Sequence, residues 1–120
     1  MRNSLYDQIS SGAISIRLSE QKFKKHVDGT LEFQQYTAQQ DCMGRSRPSK
    51  LYVSFDEAQE IIHAYAGTGI VSPGAVPAEF VTLDYAVGAF EEQGMYYDTR
   101  CLKIIYGKRN AHLFPVKELI

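Results

Sequence analysis

Residues 96–116 constrain the fold more than any other part of the chain. Residues 96–106 and 111–116 are strand-like runs rich in Tyr, Ile, Leu and Phe, and Gly107-Lys-Arg-Asn110 between them is a tight basic turn. Alternation puts Thr99, Cys101, Lys103 and Ile105 on one side of the first run. Arg100, Leu102, Ile104 and Tyr106 fall on the other, which is the expected core side. A two- or four-residue turn sets Tyr106 opposite Ala111 and Ile105 opposite His112, so that His112 shares a face with Thr99 and Lys103. A three- or five-residue turn would flip that assignment, because a register slip of one reverses every side chain.

The rest of the chain supplies what packs against such a hairpin. Residues 4–10 suit a short helical turn, Ser11-Gly12 a break, and residues 13–18 a strand or extended arm. Residues 21–30 place three lysines around Phe23 and end at the turn signal Asp28-Gly29. Thr30 is an expected N-cap for a helix reaching about Gln40, with Leu31, Phe33 and Tyr36 as its apolar contacts. Residues 41–49 read as a loop and Leu51-Tyr-Val53 as a short apolar strand.

Ser54-Phe-Asp-Glu57 is a capping box, in which the serine accepts from the third helical amide while the glutamate reaches back. It opens a helix over residues 55–66 whose apolar face is Ala58, Ile61, Ile62, Tyr65 and Ala66, with His63 off that face and Gly67 as its stop. Residues 68–78 read as a long surface connection. Residues 80–83 and 87–91 are strand pieces, with turns near Asp84-Tyr85 and at Glu92-Gln-Gly94. Helices come first and strands last, which predicts an α+β fold with N-terminal helices packed on one antiparallel sheet.

A chain of 120 residues with 44% hydrophobic and 22% charged residues fits one compact domain. No apolar run approaches the roughly 20 residues needed to cross a bilayer. The first residues lack the apolar core of a signal peptide, so folding inside a cell is expected. A net charge of −1 excludes binding to nucleic acid by bulk charge, and any phosphate contact has to be local. Lys22, Lys24, Lys25, Arg45, Arg47, Lys50, Lys108 and Arg109 are the cations available for one. Cys42 and Cys101 are isolated in sequence, form no Cys-x-x-Cys pair and read as free thiols; no metal or other cofactor is expected.

A threonine hydroxyl, an ammonium and an imidazole on one sheet face suit a phosphate. Lys103 would oppose negative charge, Thr99 would donate a hydrogen bond and His112 would shuttle a proton. If His26 reaches the same face, the chain has the parts for metal-free cleavage of RNA. In that reaction the substrate's own 2′-hydroxyl attacks, so the protein need supply only a base and an acid. Tyr96, Tyr97 and Tyr106 are candidate base-stacking residues.

Several segments carry a resemblance in their order and spacing. They are Lys25-His26-Val-Asp-Gly-Thr30, Ser49-Lys50, Glu57-Ala-Gln-Glu60, Tyr65-Ala-Gly-Thr-Gly69, Thr99-Arg100, Ile105-Tyr106 and Ala111-His112-Leu-Phe-Pro115. Together they resemble the polymorphic toxin type 50 domain, found in bacterial toxins and at the C-terminus of phage head-morphogenesis proteins. The likeness runs over about residues 21–115, which leaves residues 1–20 as an N-terminal extension and 21–120 as the toxin domain. It implies the fold shared by barnase, EndoU, the nuclease colicins and RelE, with helices against a four- or five-stranded antiparallel sheet.

It also implies a metal-independent endoribonuclease acting on cytoplasmic RNA, delivered as part of a larger secreted or phage protein and held in check by an immunity protein or antitoxin. The polar positions that carry over from it are Lys25, His26, Ser49, Thr99 and His112. Joined to the reading of the sheet face, the candidate catalytic residues are His26, His112, Thr99 and Lys103, with Lys25, Ser49, Lys50, Arg100 and Tyr106 expected on the substrate. Where the family pattern has a histidine and a serine, this chain has Ile105 and Gly107. That departure supports the alternative, a module of the same fold that binds RNA or protein without cutting, as a phage accessory or structural protein.

Overall fold

The computed structural model describes residues 4–119. Its helices are α1 (Ser4–Ser11), α2 (Glu20–Lys24), α3 (Leu31–Cys42) and α4 (Phe55–Tyr65). Its strands are β1 (Lys50–Leu51), β2 (Ile70–Ser72), β3 (Ala78–Thr82), β4 (Gly88–Glu92), β5 (Met95–Thr99), β6 (Cys101–Tyr106) and β7 (Ala111–Val116). The fold is α+β, as expected, but its strands form two antiparallel sheets. One has four strands in the order β2-β3-β6-β7 and the other three in the order β1-β4-β5. Among the described residues no helix is long and apolar enough to cross a membrane.

Local sequence explains the best-defined elements. The Ser54 hydroxyl accepts from the Glu57 amide at 3.1 Å and the Glu57 carboxylate accepts from the Ser54 amide at 3.2 Å, so the capping box is closed in both directions. Ala58, Ile61 and Ile62 of α4 are buried, and Gly67 takes the left-handed conformation that ends it. Thr30 caps α3 by accepting from the Phe33 amide, yet only Phe33 of its expected apolar stripe is buried, with Tyr36 half-buried and Leu31 exposed. At the β4–β5 turn both Gln93 and Gly94 have positive φ, the geometry a two-residue hairpin turn needs to match strand twist.

The four-residue turn of the β6–β7 hairpin gives the even register. Tyr106 pairs with Ala111, Ile105 with His112 and Lys103 with Phe114. Leu102, Ile104 and Tyr106 of β6 and Leu113 of β7 thereby join the core with Leu5, Ile14, Ile61 and Ile62. Residues before α2 contribute both to the core and to the sheet edge. Leu5, Ile14 and Leu18 are core residues, and Leu18 makes a parallel bridge to Ala111 that covers one end of the exposed β7 edge.

Four expectations fail for tertiary reasons. Residues 96–106 do not form one strand: the chain breaks at Arg100 and passes from one sheet to the other as β5 and β6. At the break Arg100 is exposed and pairs with Glu118 at 2.8 Å, so it is not on the core side. The crossing is tight, since a Cβ at Gly88 would stand 2.2 Å from the Lys50 carbonyl and 2.3 Å from Pro115 Cγ. The connection over residues 68–78 contains β2, an edge strand of three residues. The start of the basic stretch read over residues 21–30 belongs to a short helix, α2, that buries Phe23 edge-on against Phe55 at 5.3 Å.

Candidate functional site

His26 reaches the sheet because α2 stops early. With the helix over at Lys24, Phe23 points into the core while His26 turns to the opposite sheet face, the face of His112 and Phe114. Its backbone is pinned on both sides: the His26 amide donates to the Phe23 carbonyl, and the Leu51 amide of β1 donates to the His26 carbonyl at 2.7 Å. The rings of His26 and His112 lie 5.5 Å apart, centroid to centroid. Phe114 stacks on His26 at 5.3 Å and tilts against His112 at 5.0 Å.

Ser49 sets the chemistry of His26. The imidazole Nδ1 is 2.9 Å from the Ser49 carbonyl and 3.2 Å from its hydroxyl. A carbonyl only accepts, so Nδ1 carries the proton and the lone pair is left on Nε2. His26 is almost fully buried, and burial is the main reason its pKa falls below the ordinary histidine value. His112 is pushed down further, to about 4, by burial first and then by the charges of His26, Lys22 and Lys25. Its Nε2 is buried without a hydrogen-bond partner among the described residues.

This pair predicts a pH dependence of stability. In the folded state His112 gives up its proton at a lower pH than in the unfolded chain, so between pH 6.5 and about 4 the unfolded chain binds more protons. Stability is therefore greatest above the unfolded pKa and falls as the solution is acidified through that window. After allowance for partial exposure, His112 should account for about 2 kcal/mol of that loss. Urea titrations of wild type and His112→Leu at stepped pH check it: the variant should lose much of the slope between neutral pH and pH 5, with His26 supplying the remainder.

The other expected residues divide into two groups. Lys25 is at the site, its Nζ 5.6 Å from the Tyr36 ring, and Lys22 joins it as a cation acting on His112. Lys50 sits 4.2 Å over the Tyr96 ring and 3.5 Å from the Asp28 carboxylate. Lys103 shares the sheet face of His112, directly opposite Phe114, with its Nζ 5.6 Å from the Phe80 ring.

Thr99 lies at the β5–β6 crossing, where its hydroxyl donates to the Val116 carbonyl at 2.6 Å and accepts from the Cys101 amide. Its one proton is thus engaged. Arg100 is held by Glu118. Tyr106 is fully buried on the other sheet face, and its hydroxyl donates to Glu79 at 2.7 Å.

Sequence reasoning missed the cavity beside His26. It has a volume of about 270 Å³, and its wall includes Tyr36, Ser49, Phe90 and Phe114. No local motif marks it, since α3, residues 46–49, β4 and β7 each contribute one part.

The family model for bacterial toxin 50 matches residues 18–115. No curated protein and no solved structure matches the chain. The matched span begins at Leu18, the residue bridged to β7, and ends at Pro115 in that strand, so it contains His26, His112, Ser49 and all but the last residue of the two sheets. It takes in more than four fifths of the 120 residues, and the chain belongs to the bacterial toxin 50 family.

Proposed function

We propose that the chain is an endoribonuclease toxin that cleaves RNA without a metal by attack of the 2′-hydroxyl on the adjacent phosphodiester. The observation that carries this reading is the 5.5 Å separation of the His26 and His112 rings, a span that one phosphodiester bridges. His26 takes the proton of the 2′-hydroxyl on Nε2, because Ser49 holds the proton on Nδ1. His112 gives its proton to the leaving 5′-oxygen. An RNA phosphate brought against the two rings supplies the negative charge that raises the pKa of His112 and makes it an acid.

Lys22 and Lys25 are better placed to hold that phosphate than Thr99, whose proton is engaged at the sheet crossing. Lys103 approaches from the neighbouring strand. Cytoplasmic RNA is the target, and the domain reaches it as part of a larger delivered protein. An immunity protein protects the producer. The barnase-like fold assignment and the link to phage proteins belong to this proposal as well.

A second reading has its own support. Both rings are packed on Phe114, and Ile105 stands directly opposite His112 where the family pattern has a histidine. On that reading the fold binds RNA or a protein without cutting it. Induction in bacteria separates the two. A nuclease stops growth, and His26→Ala or His112→Ala relieves the arrest; harmless expression with tight binding of uncut RNA supports the module.

A further inference from the structure

We propose that the cavity beside His26 is a nucleobase subsite that selects guanine on the 5′ side of the cut; the proposal rests on the nuclease reading and extends it to substrate preference. Position comes first. Phe114 is two residues along β7 from His112, a displacement of about 7 Å on the same sheet face, and its ring is shared between the histidine pair and the cavity. A phosphate at the two histidines therefore places the base of its own nucleoside at the mouth of the cavity.

Shape follows. Tyr36, Phe90 and Phe114 supply aromatic surface on which a base can stack, and a volume of about 270 Å³ suits one base rather than two. The polar groups then decide which base. The Glu91 carboxylate is fixed by two backbone donors, the Arg47 amide at 3.1 Å and the Gly94 amide at 2.8 Å, and each oxygen keeps a further lone pair. Gln40 donates its amide to the Ser46 carbonyl at 2.9 Å, which leaves its own carbonyl oxygen to accept.

The cations of the lining are committed elsewhere. Arg47 makes two bonds of 3.0 Å to Asp41, and Lys117 pairs with Glu92 at 3.3 Å. The cavity thus offers a carboxylate and an amide oxygen held in place as acceptors, with both lining cations, Arg47 and Lys117, engaged away from them. Guanine presents two adjacent donors, N1–H and the N2 amino group, which match a carboxylate in bidentate fashion. Uracil presents one donor between two acceptors, and adenine and cytosine set an amino group beside a ring acceptor, so each brings an acceptor against the carboxylate.

Calorimetric titration of the full chain with 3′-GMP, 3′-AMP, 3′-CMP and 3′-UMP tests this without requiring turnover. The guanine nucleotide should bind about tenfold tighter than the other three. Glu91→Gln should erase that preference, Gln40→Leu should reduce it without disturbing the β4–β5 turn, and Phe90→Ala should weaken all four nucleotides. Four equal affinities, or a preference unchanged in folded Glu91→Gln and Gln40→Leu, would overturn the proposal. Cleavage of RNA with no preference at guanine sinks the subsite and leaves the nuclease standing. Guanine-selective binding without cleavage does the reverse.

Discussion

His26→Asn should lower the rate of RNA cleavage by about 10²- to 10⁴-fold, the usual contribution of a general base. Asparagine keeps a side-chain donor for the Ser49 carbonyl, which His26 satisfies through Nδ1 at 2.9 Å, but offers no nitrogen that can take a proton. Loss of rate with an unchanged melting temperature therefore separates chemistry from folding. His112→Asn should cost a similar factor, and the double variant little more than either single one, because residues that act on one proton path are not additive. The pH profile of kcat/KM gives a second readout. Both histidines titrate below the ordinary value in the free protein, so the optimum should lie on the acid side of pH 6.5 and the acidic limb should vanish in His26→Asn. Full activity in folded His26→Asn would remove this residue from the mechanism.

Glu79→Ala should destabilise the fold by about 3–5 kcal/mol. The Glu79 side chain is wholly buried and accepts three bonds: from the Gly67 amide at 2.9 Å, the Gly69 amide at 2.7 Å and the Tyr106 hydroxyl at 2.7 Å. Truncation leaves two backbone amides and a phenol without a partner inside the protein. It also loosens the joint between the end of α4, β2 and the four-stranded sheet. Thermal denaturation should show a fall of roughly 15–25 °C. Glu79→Gln, which retains one carbonyl oxygen, should lose clearly less. Tyr106→Phe should cost about 1 kcal/mol, since it removes one of the three donors. A shift of under 1 kcal/mol for Glu79→Ala would mean that water replaces the carboxylate.

What could be read from the chain follows the range of the interactions involved. The capping box at Ser54 and Glu57, the Thr30 cap and the β6–β7 register are each decided by residues within a few positions of one another; both caps were legible, and the register was legible up to the parity of the turn, which the structure gives as even. The break at Arg100 was not. Alternation through residues 96–106 is nearly continuous, and what divides it is the close approach of Gly88 to Lys50 and Pro115 together with the Thr99 hydroxyl bonds. Glu79 was invisible for a similar reason: it falls between the connection read over residues 68–78 and the strand read over residues 80–83, and only the convergence of Gly67, Gly69 and Tyr106 on its carboxylate gives it a part.

The candidate site divides in the same way. His112 followed from hairpin register, and His26 from the resemblance around Lys25 to Thr30. The part Ser49 plays rests mainly on its backbone carbonyl, which no side-chain pattern announces. Lys22 was one of eight candidate cations in the sequence, and what singles it out is α2, a five-residue helix with one buried side chain and too short to show a period.

The central claim, RNA cleavage through the 2′-hydroxyl by a histidine pair, is tested most directly by the ends of the products. Purified protein is incubated with a defined RNA oligomer in excess chelator at mildly acidic pH, and the fragments are weighed by mass spectrometry. The account predicts 2′,3′-cyclic phosphate ends that convert to 3′-phosphates, 5′-hydroxyl partners, and no cut where the attacking ribose is 2′-deoxy. Fragments with 5′-phosphate and 3′-hydroxyl ends, cleavage at the deoxy position, or intact RNA would contradict it.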